Sequence, residues 1–571
     1  MDLEETYMTI DNKLLEGYEN TTLIKYEDID ETFPNSFYYE DIYKNQISGV
    51  LKANRYVNGR LLQTYSTREN HVSVVAATRL GKTTGYVIPQ IISFLKQKMK
   101  RNMIVSDPKG ELYRITSETA RQEGYKVLLI NYCDFKHSEY FNEITYIYDM
   151  FQEAMKNKRK VEVVSFPNGA VKYRYDGKLY LLKSEADAAA NEAIVAALDE
   201  IDGEITEYAS AIITVDNDND PYWEMGARGT LIALLWGMLE DSVEPADREK
   251  ITREKFSIST ALKIMSCMRD EGGSTYNDNG YFTSRATNSR SYLYAKNNFI
   301  ENAPNTRKCI ISAFNNKVLP YKASAARIIT SCCSFKLEEL VSDTPTILYI
   351  AYKDESKSNY QLISNFIQRA YRFLIGHARK NGESLSRPFY FILDEFANFP
   401  KIKDFEVTIA ACASRNIWFV LVLQSYSQLN AVYGANIANV IKQNMNVHVF
   451  VGSNDPETLK SFSEECGEIT RISPLSALNG SKNEIDNYVI ETIPLMPKSR
   501  LASLKEGECI VTEANSGYVL FSKMERYYKC DEFNHLPLSK IEDYVSEVNP
   551  FDTKYIYVGI KLRSRRSLYD D

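Results

Sequence analysis

No stretch of this chain holds the roughly 18–20 consecutive apolar residues that a helix needs to cross a bilayer. Its start, Met1-Asp2-Leu3-Glu4-Glu5, is acidic where a secretory signal would be basic. The expectation is a chain without a transmembrane segment. Cysteine is present but unpatterned: Cys133, Cys267, Cys309, Cys332, Cys333, Cys412, Cys466, Cys509 and Cys530 include no C-x-x-C pair, and several lie in apolar runs. They read as reduced cytosolic thiols. Only five histidines occur, scattered along the sequence, so a zinc site built from Cys and His is not expected. A basic coat is lacking too, because the formal net charge is -8. That excludes a surface covered in nucleic-acid-binding cations but leaves room for a local basic channel.

What is present is ordinary globular material, 44% apolar and 25% charged, in a chain of 571 residues that can hold three or four domains or one large α/β core with an insertion. The most informative run is Ala76-Ala77-Thr78-Arg79-Leu80-Gly81-Lys82-Thr83, which follows the apolar strand Val72–Val75 and precedes a helix pattern from Gly85 to Gln97. This is a phosphate-binding loop in the place such a loop must occupy. Backbone N–H groups of Ala77, Thr78, Arg79, Leu80, Gly81 and Thr84 would cradle phosphates, Lys82 would reach the β/γ oxygens, and the Thr83 hydroxyl would ligate Mg²⁺. Alanine replaces glycine at the loop's first position.

Strands and helices alternate around the loop. A strand at Asn102–Ser106 ends in Asp107-Pro108-Lys109-Gly110-Glu111-Leu112-Tyr113, and a further helix leads to the strand Lys126–Ile130. Such alternation predicts a parallel sheet with right-handed crossovers. The pattern then changes. Three strand-like segments at 161–182 are separated by Pro167-Asn168-Gly169 and Asp176-Gly177, which predicts an antiparallel meander. Residues from 184 to about 340 are mostly helix-patterned, with a polar loop at Asp216–Asp220, and Pro345–Ala351 restarts the sheet. The expected class is therefore α/β, with a parallel-rich central sheet interrupted by a mostly α-helical insertion carrying a small β-meander.

Phe389–Leu393 is an apolar strand ending in Asp394-Glu395. In P-loop NTPases an aspartate at a neighbouring strand end holds the metal, and the adjacent carboxylate can polarise the attacking water. Ile417–Leu423 is a further buried strand ending at Gln424, which would sense the γ-phosphate or orient water, or else cap its strand. Arg415, before that strand, would act across a subunit boundary on transition-state charge, or else sit solvated at a helix end.

With these residues assembled, the sequence resembles the VirD4/TraG family of type IV secretion coupling proteins, the conjugative P-loop ATPases. The likeness rests on Asn70–Thr84, Asp107–Tyr113, Phe141-Asn142, Asp220-Pro221-Tyr222-Trp223, Leu393–Asn398, Leu423–Leu429 and Tyr433-Gly434, over about residues 65–530. It implies a RecA-like motor at 46–145 and 340–540, interrupted at 146–339 by a mostly α-helical domain for cargo and DNA, with an acidic arm at 1–45 and a tail at 541–571. It also implies ATP and Mg²⁺ as cofactors, with Lys82 and Thr83 on nucleotide and metal, Asp394 on the metal, Glu395 activating water, Arg415 as an arginine finger and Gln424 as the glutamine after the strand. Implied partners are a relaxase with its single-stranded DNA, the channel proteins and further copies in a hexamer. Such families carry a pair of membrane helices before the loop. Here about 75 mostly polar residues precede it. Either a separate protein anchors the chain at the cytoplasmic face of the bacterial membrane, or an anchor has been removed. The alternative functions are a nucleotide-gated docking receptor that hydrolyses little, and a double-stranded DNA translocase. The basic run Lys561–Arg566 reads as a solvated tail more readily than as a phosphate contact.

Overall fold

The computed structural model describes residues 22–555 apart from 46, 48, 159–160, 168–169, 216–220, 269–275, 354–358, 400 and 475–487. The loop Asp216–Asp220 with its part in the resemblance, the Asn168-Gly169 turn, residues 1–21 of the expected arm and the Lys561–Arg566 cluster lie outside the described residues.

The described residues pack as two compact units, one of residues up to Leu128 with Leu340–Tyr349 and Leu374–Lys540, the other of Leu129–Glu339, Ile350–Phe373 and residues from Ile541 on. A ten-stranded sheet organises the fold. In chain order its strands are β1 (Thr22–Lys25), β2 (Val72–Ala76), β3 (Asn102–Asp107), β4 (Lys126–Asn131), β5 (Thr346–Ala351), β6 (Phe389–Leu393), β7 (Ile417–Leu423), β8 (Val447–Gly452), β9 (Glu508–Glu513) and β10 (Tyr518–Lys523). Their order across the sheet is β1-β10-β9-β8-β2-β7-β6-β3-β5-β4. Neighbours from β8 through β3 pair in parallel. Every residue of β2, β3, β6 and β8 is buried. Continuous apolar runs, rather than alternation, are what a parallel sheet covered on both faces requires.

β9 and β10 reverse the direction as an antiparallel pair beside β8. The segment read from sequence as an arm supplies β1, which pairs in parallel with β10. A short second sheet, with Ser36–Tyr38, Leu51–Val57 and Arg60–Tyr65, precedes the P-loop strand.

The second unit is mainly helical. Its long helices include Lys183–Ile212 and Tyr222–Val243, the latter buried nearly all round through Leu231, Leu234, Leu235, Trp236 and Leu239. A helix apolar on every side belongs at the centre of its unit. The meander is present as Glu162–Ser165, Val171–Tyr175 and Lys178–Tyr180, paired antiparallel. Asp176 and Gly177 both take positive φ, 45° and 74°, which is the turn that matches hairpin twist.

One buried polar group of this unit makes a testable difference to stability. Glu143 accepts a hydrogen bond from the Tyr321 hydroxyl at 3.3 Å, which in turn accepts one from the Asn365 amide at 2.8 Å. Burial pushes its carboxyl up to about 8, while Tyr321, Tyr208 and the Arg369 charge oppose the rise. The folded state thus holds the proton that the unfolded chain releases near 4.5. Stability falls as pH rises between those values and levels off above the higher one. Glu143→Gln removes the titration. Its melting temperature should match that of the parent near pH 5 and exceed it at pH 9, by an amount corresponding to about 2–4 kcal/mol. Parallel thermal melts across pH provide the check, and equal slopes would contradict the expectation.

Candidate functional site

The P-loop leaves β2 at Ala76, turns through Arg79 at φ 70° and Gly81 at φ 93°, and enters a helix at Lys82. A left-handed turn suits glycine, while arginine there carries some strain. The first helical turn, Lys82–Val87, is widened, and regular helix runs from Ile88 to Lys96. Pro89, the second residue of the regular helix, has no N–H to donate back to Gly85. Behind the loop, the Ala77 N–H donates to the Gly452 carbonyl at 2.8 Å, tying it to the end of β8.

β7 lies between β2 and β6, and all three are parallel, so their C-terminal ends open on one edge of the sheet. That edge gathers the expected residues. Thr83 Oγ1 donates to Asp394 Oδ2 at 2.9 Å. Lys82 Nζ forms an ion pair with Glu395 Oε1. Gln424 Nε2 donates to Glu395 Oε2 at 2.8 Å. Glu395 stands at φ 58°, a left-handed backbone at the strand end. Non-glycine residues in that region cluster at functional sites.

Asp394 is almost wholly buried, and burial pushes its carboxyl up to about 6, with Glu395 adding to the rise and Lys82 and Thr83 opposing it. Asp107, at the end of neighbouring β3, is raised to about 7 by burial, despite accepting the Tyr113 N–H at 2.8 Å, and Asp394 contributes repulsion. Two sequestered carboxyls beside a threonine hydroxyl form a pocket of negative potential that a divalent cation would relieve. Among the described residues no group of three or more His, Cys, Asp or Glu could hold a metal. Thr83 and Asp394 are oxygen donors of the kind Mg²⁺ takes, one or two from a protein with water and phosphate completing its shell.

Sequence reasoning gave no role to two residues that join this cluster. Asn398 Nδ2 donates to Glu395 Oε2 at 3.4 Å, and Gln428 Nε2 donates to Gln424 Oε1 at 3.2 Å. Their spacing, three and four residues after the groups they touch, was the available signal. Arg415 is not brought to the cluster. It precedes β7, at the opposite end of a seven-residue strand, about 20 Å away. Its Nη1 donates to the Ala411 carbonyl at 2.7 Å, and its Nε is buried without a partner among the described residues.

A Gly-Lys-Thr loop facing a buried Asp-Glu strand end across one intervening strand defines an α/β protein with a RecA-like core. Within that class the chain belongs to the type IV secretory system conjugative DNA transfer family, whose model matches residues 32–554. It is 21% identical over 403 residues to protein VirD4 of Rhizobium radiobacter, covering 70% of this chain and 48% of that protein. It is also 30% identical over 154 residues, 25% of this chain, to an uncharacterised pXO2 protein of Bacillus anthracis, covering 56% of it. The chain thus spans about half the length of these curated relatives. Among solved structures, the bacterial conjugative coupling protein TrwBdeltaN70 with sulphate shares the fold at a TM-score of 0.56 and 12% identity, over 93% of this chain and 96% of that one. Plasmid coupling protein TrwB in complex with ADP and Mg²⁺ matches at 0.55 and 14% identity, over 86% and 93%.

Proposed function

We propose that this chain is the ATP-hydrolysing coupling protein of a conjugative type IV secretion system, recruiting a relaxase-bound single DNA strand, or an effector protein, and delivering it to the secretion channel. One observation carries the reading. In a member of this family, Lys82 and Thr83 of one strand end meet Glu395 and Asp394 of another in a single hydrogen-bonded cluster. Loop backbone from Ala77 to Thr84 binds the phosphates of ATP. Lys82 exchanges its pairing with Glu395 for β/γ oxygens, which releases a Glu395 oxygen to accept a proton from the attacking water. Thr83 and Asp394 would hold Mg²⁺, which when bound would supply positive charge to offset that on the phosphate oxygens. Gln424 and Asn398 keep the Glu395 carboxylate in place. Arg415 acts on the site of a neighbouring copy in a hexamer.

In this reading residues 46–145 and 340–540 form the motor, and 146–339 recognise the cargo. No helix among the described residues is long and apolar enough to cross a membrane. We place the working protein at the cytoplasmic face of the bacterial membrane.

The test is hydrolysis of Mg-ATP by the purified chain, with and without single-stranded DNA. Multiple turnovers stimulated several-fold by the single strand are expected. Stimulation by duplex alone would favour a double-stranded DNA translocase. Tight ATP binding without turnover, DNA present or not, would replace the motor with a nucleotide-gated docking receptor.

A further inference from the structure

β8 runs parallel to β2, β9 opposes β8, and β10 opposes β9, so β10 again points the same way as the P-loop strand. The residues after β10 therefore emerge on the edge of the sheet that carries the loop. They come from the side opposite Asp394 and Glu395, since β6 lies beyond β7 on one flank of β2, and β10 beyond β8 and β9 on the other. Met524 is fixed there by its N–H to the Gly507 carbonyl, 2.8 Å, and Glu525 by its N–H to the Asn54 carbonyl, 2.8 Å. The chain then crosses the loop closely. A Cβ on Gly85 would stand 3.3 Å from the Met524 carbonyl oxygen, and one on Gly81 would stand 3.1 Å from Arg526 Nε and 3.4 Å from Thr84 Oγ1.

The P-loop is thus flanked by carboxylates on one side and by a guanidinium on the other. Lys82 and Thr83 turn toward the carboxylates, which fixes that side as the one for Mg²⁺ and the β/γ phosphates. The nucleoside end of a phosphate chain lying along the loop must run toward Arg526. Thr84 Oγ1, beside Gly81 on that side, is buried and has no hydrogen-bond partner among the described residues.

We infer, on the basis of the nucleotide-site reading above, that Arg526 is a binding residue for the α-phosphate of ADP and ATP, supplied by the same chain, with Thr84 as its companion donor. Arg526 Nη1 donates to the Tyr528 hydroxyl at 2.7 Å, which holds the side chain over the loop. Nε faces Glu506 Oε1 at 3.4 Å, an oxygen already taken by Lys529 Nζ at 2.9 Å. Glu506 is more than half exposed, so water screens this pair and it competes weakly with a phosphate. Nη2 has no hydrogen-bond partner among the described residues, and a planar guanidinium is suited to bind a phosphate through two donors.

The experiment is calorimetric titration of the full chain with Mg-ADP and Mg-ATP, using wild type, Arg526→Ala, Arg526→Lys and Glu506→Gln. Loss of a charge-assisted contact made to both nucleotides should weaken ADP and ATP alike by roughly tenfold in Arg526→Ala. Arg526→Lys should recover part of that, and Glu506→Gln should bind as well as wild type or better. Should the alanine variant fail to fold, the lysine and glutamine variants carry the comparison. ADP binding within twofold of wild type in Arg526→Ala, or a loss confined to ATP, would overturn the inference while leaving the nucleotide site standing. Equal weakening by Glu506→Gln would also overturn it, reducing Arg526 to a structural tether. A folded wild-type chain that binds neither nucleotide would remove the nucleotide-site reading itself, and this inference with it.

Discussion

Glu395→Gln is expected to slow ATP hydrolysis by about a hundredfold or more while nucleotide binding stays within a few-fold of wild type. Glutamine is nearly isosteric and keeps a carbonyl oxygen that the Gln424 amide can reach, so the Gln424 contact, 2.8 Å in the parent, survives. What disappears is the carboxylate's basicity, and a positioned general base contributes typically 10²–10⁴-fold. Binding should not suffer, because the substitution also removes the ion pair that engages the Lys82 ammonium. Lys82 then meets phosphate oxygens without first leaving a charged partner. Single-turnover hydrolysis set beside equilibrium binding separates the two effects. Hydrolysis at the parent rate would dismiss Glu395 as the base. A parallel loss of binding would show instead that the carboxylate holds the loop in shape.

The residues of this cluster are marked in the sequence by position alone. Lys82 and Thr83 were legible because the P-loop is contiguous, and local spacing carries its chemistry. Asp394, Glu395 and Gln424 were legible because each ends an apolar run. Parallel strands of one sheet present their C-terminal ends together, so an end-of-strand residue is a candidate site residue by topology. The meander announced itself in Asp176-Gly177, whose two positive φ values few other pairs tolerate. Long-range pairing left weaker marks. Thr22–Lys25 is four residues with no alternation of its own, and it becomes a strand only because β10, some five hundred residues later, offers it a partner. Arg526 was silent for a related reason. Its relevance depends on two antiparallel reversals, through β9 and β10, that carry the chain back over the loop. Glu143 was equally unmarked, since its burial arises from Tyr321, Tyr208 and Asn365, which no local pattern connects to Phe141-Asn142. The division into packed units diverges from sequence spacing at Ile350–Phe373, which packs with the helical unit although its first two residues end β5 of the sheet.

Arg415→Ala should reduce hydrolysis by about a thousandfold, the scale at which arginine fingers act, and the loss should be repaired by mixing with a second inactive protein. The reason lies in the direction of β7. Arg415 stands before Ile417, whereas the candidate cluster lies beyond Leu423, so about 20 Å of strand separates the guanidinium from Lys82 and Glu395 of its own chain. It therefore cannot serve that site in cis. A Lys82→Ala chain has lost its own loop cation but keeps Arg415. Mixed with Arg415→Ala chains, it offers an intact arginine to an intact loop at some of the subunit boundaries. Activity of the mixture should exceed the sum of the two separate proteins, and it should depend on total concentration as assembly does. The competing account is structural: the guanidinium donates to the Ala411 carbonyl at 2.7 Å and closes the end of helix Phe405–Cys412. On that account Arg415→Ala would lose about 1 kcal/mol of stability, hydrolysis would fall little, and mixing would add nothing. A large loss without rescue would also deny a role in trans, since a finger supplied by a neighbour must be replaceable by the neighbour.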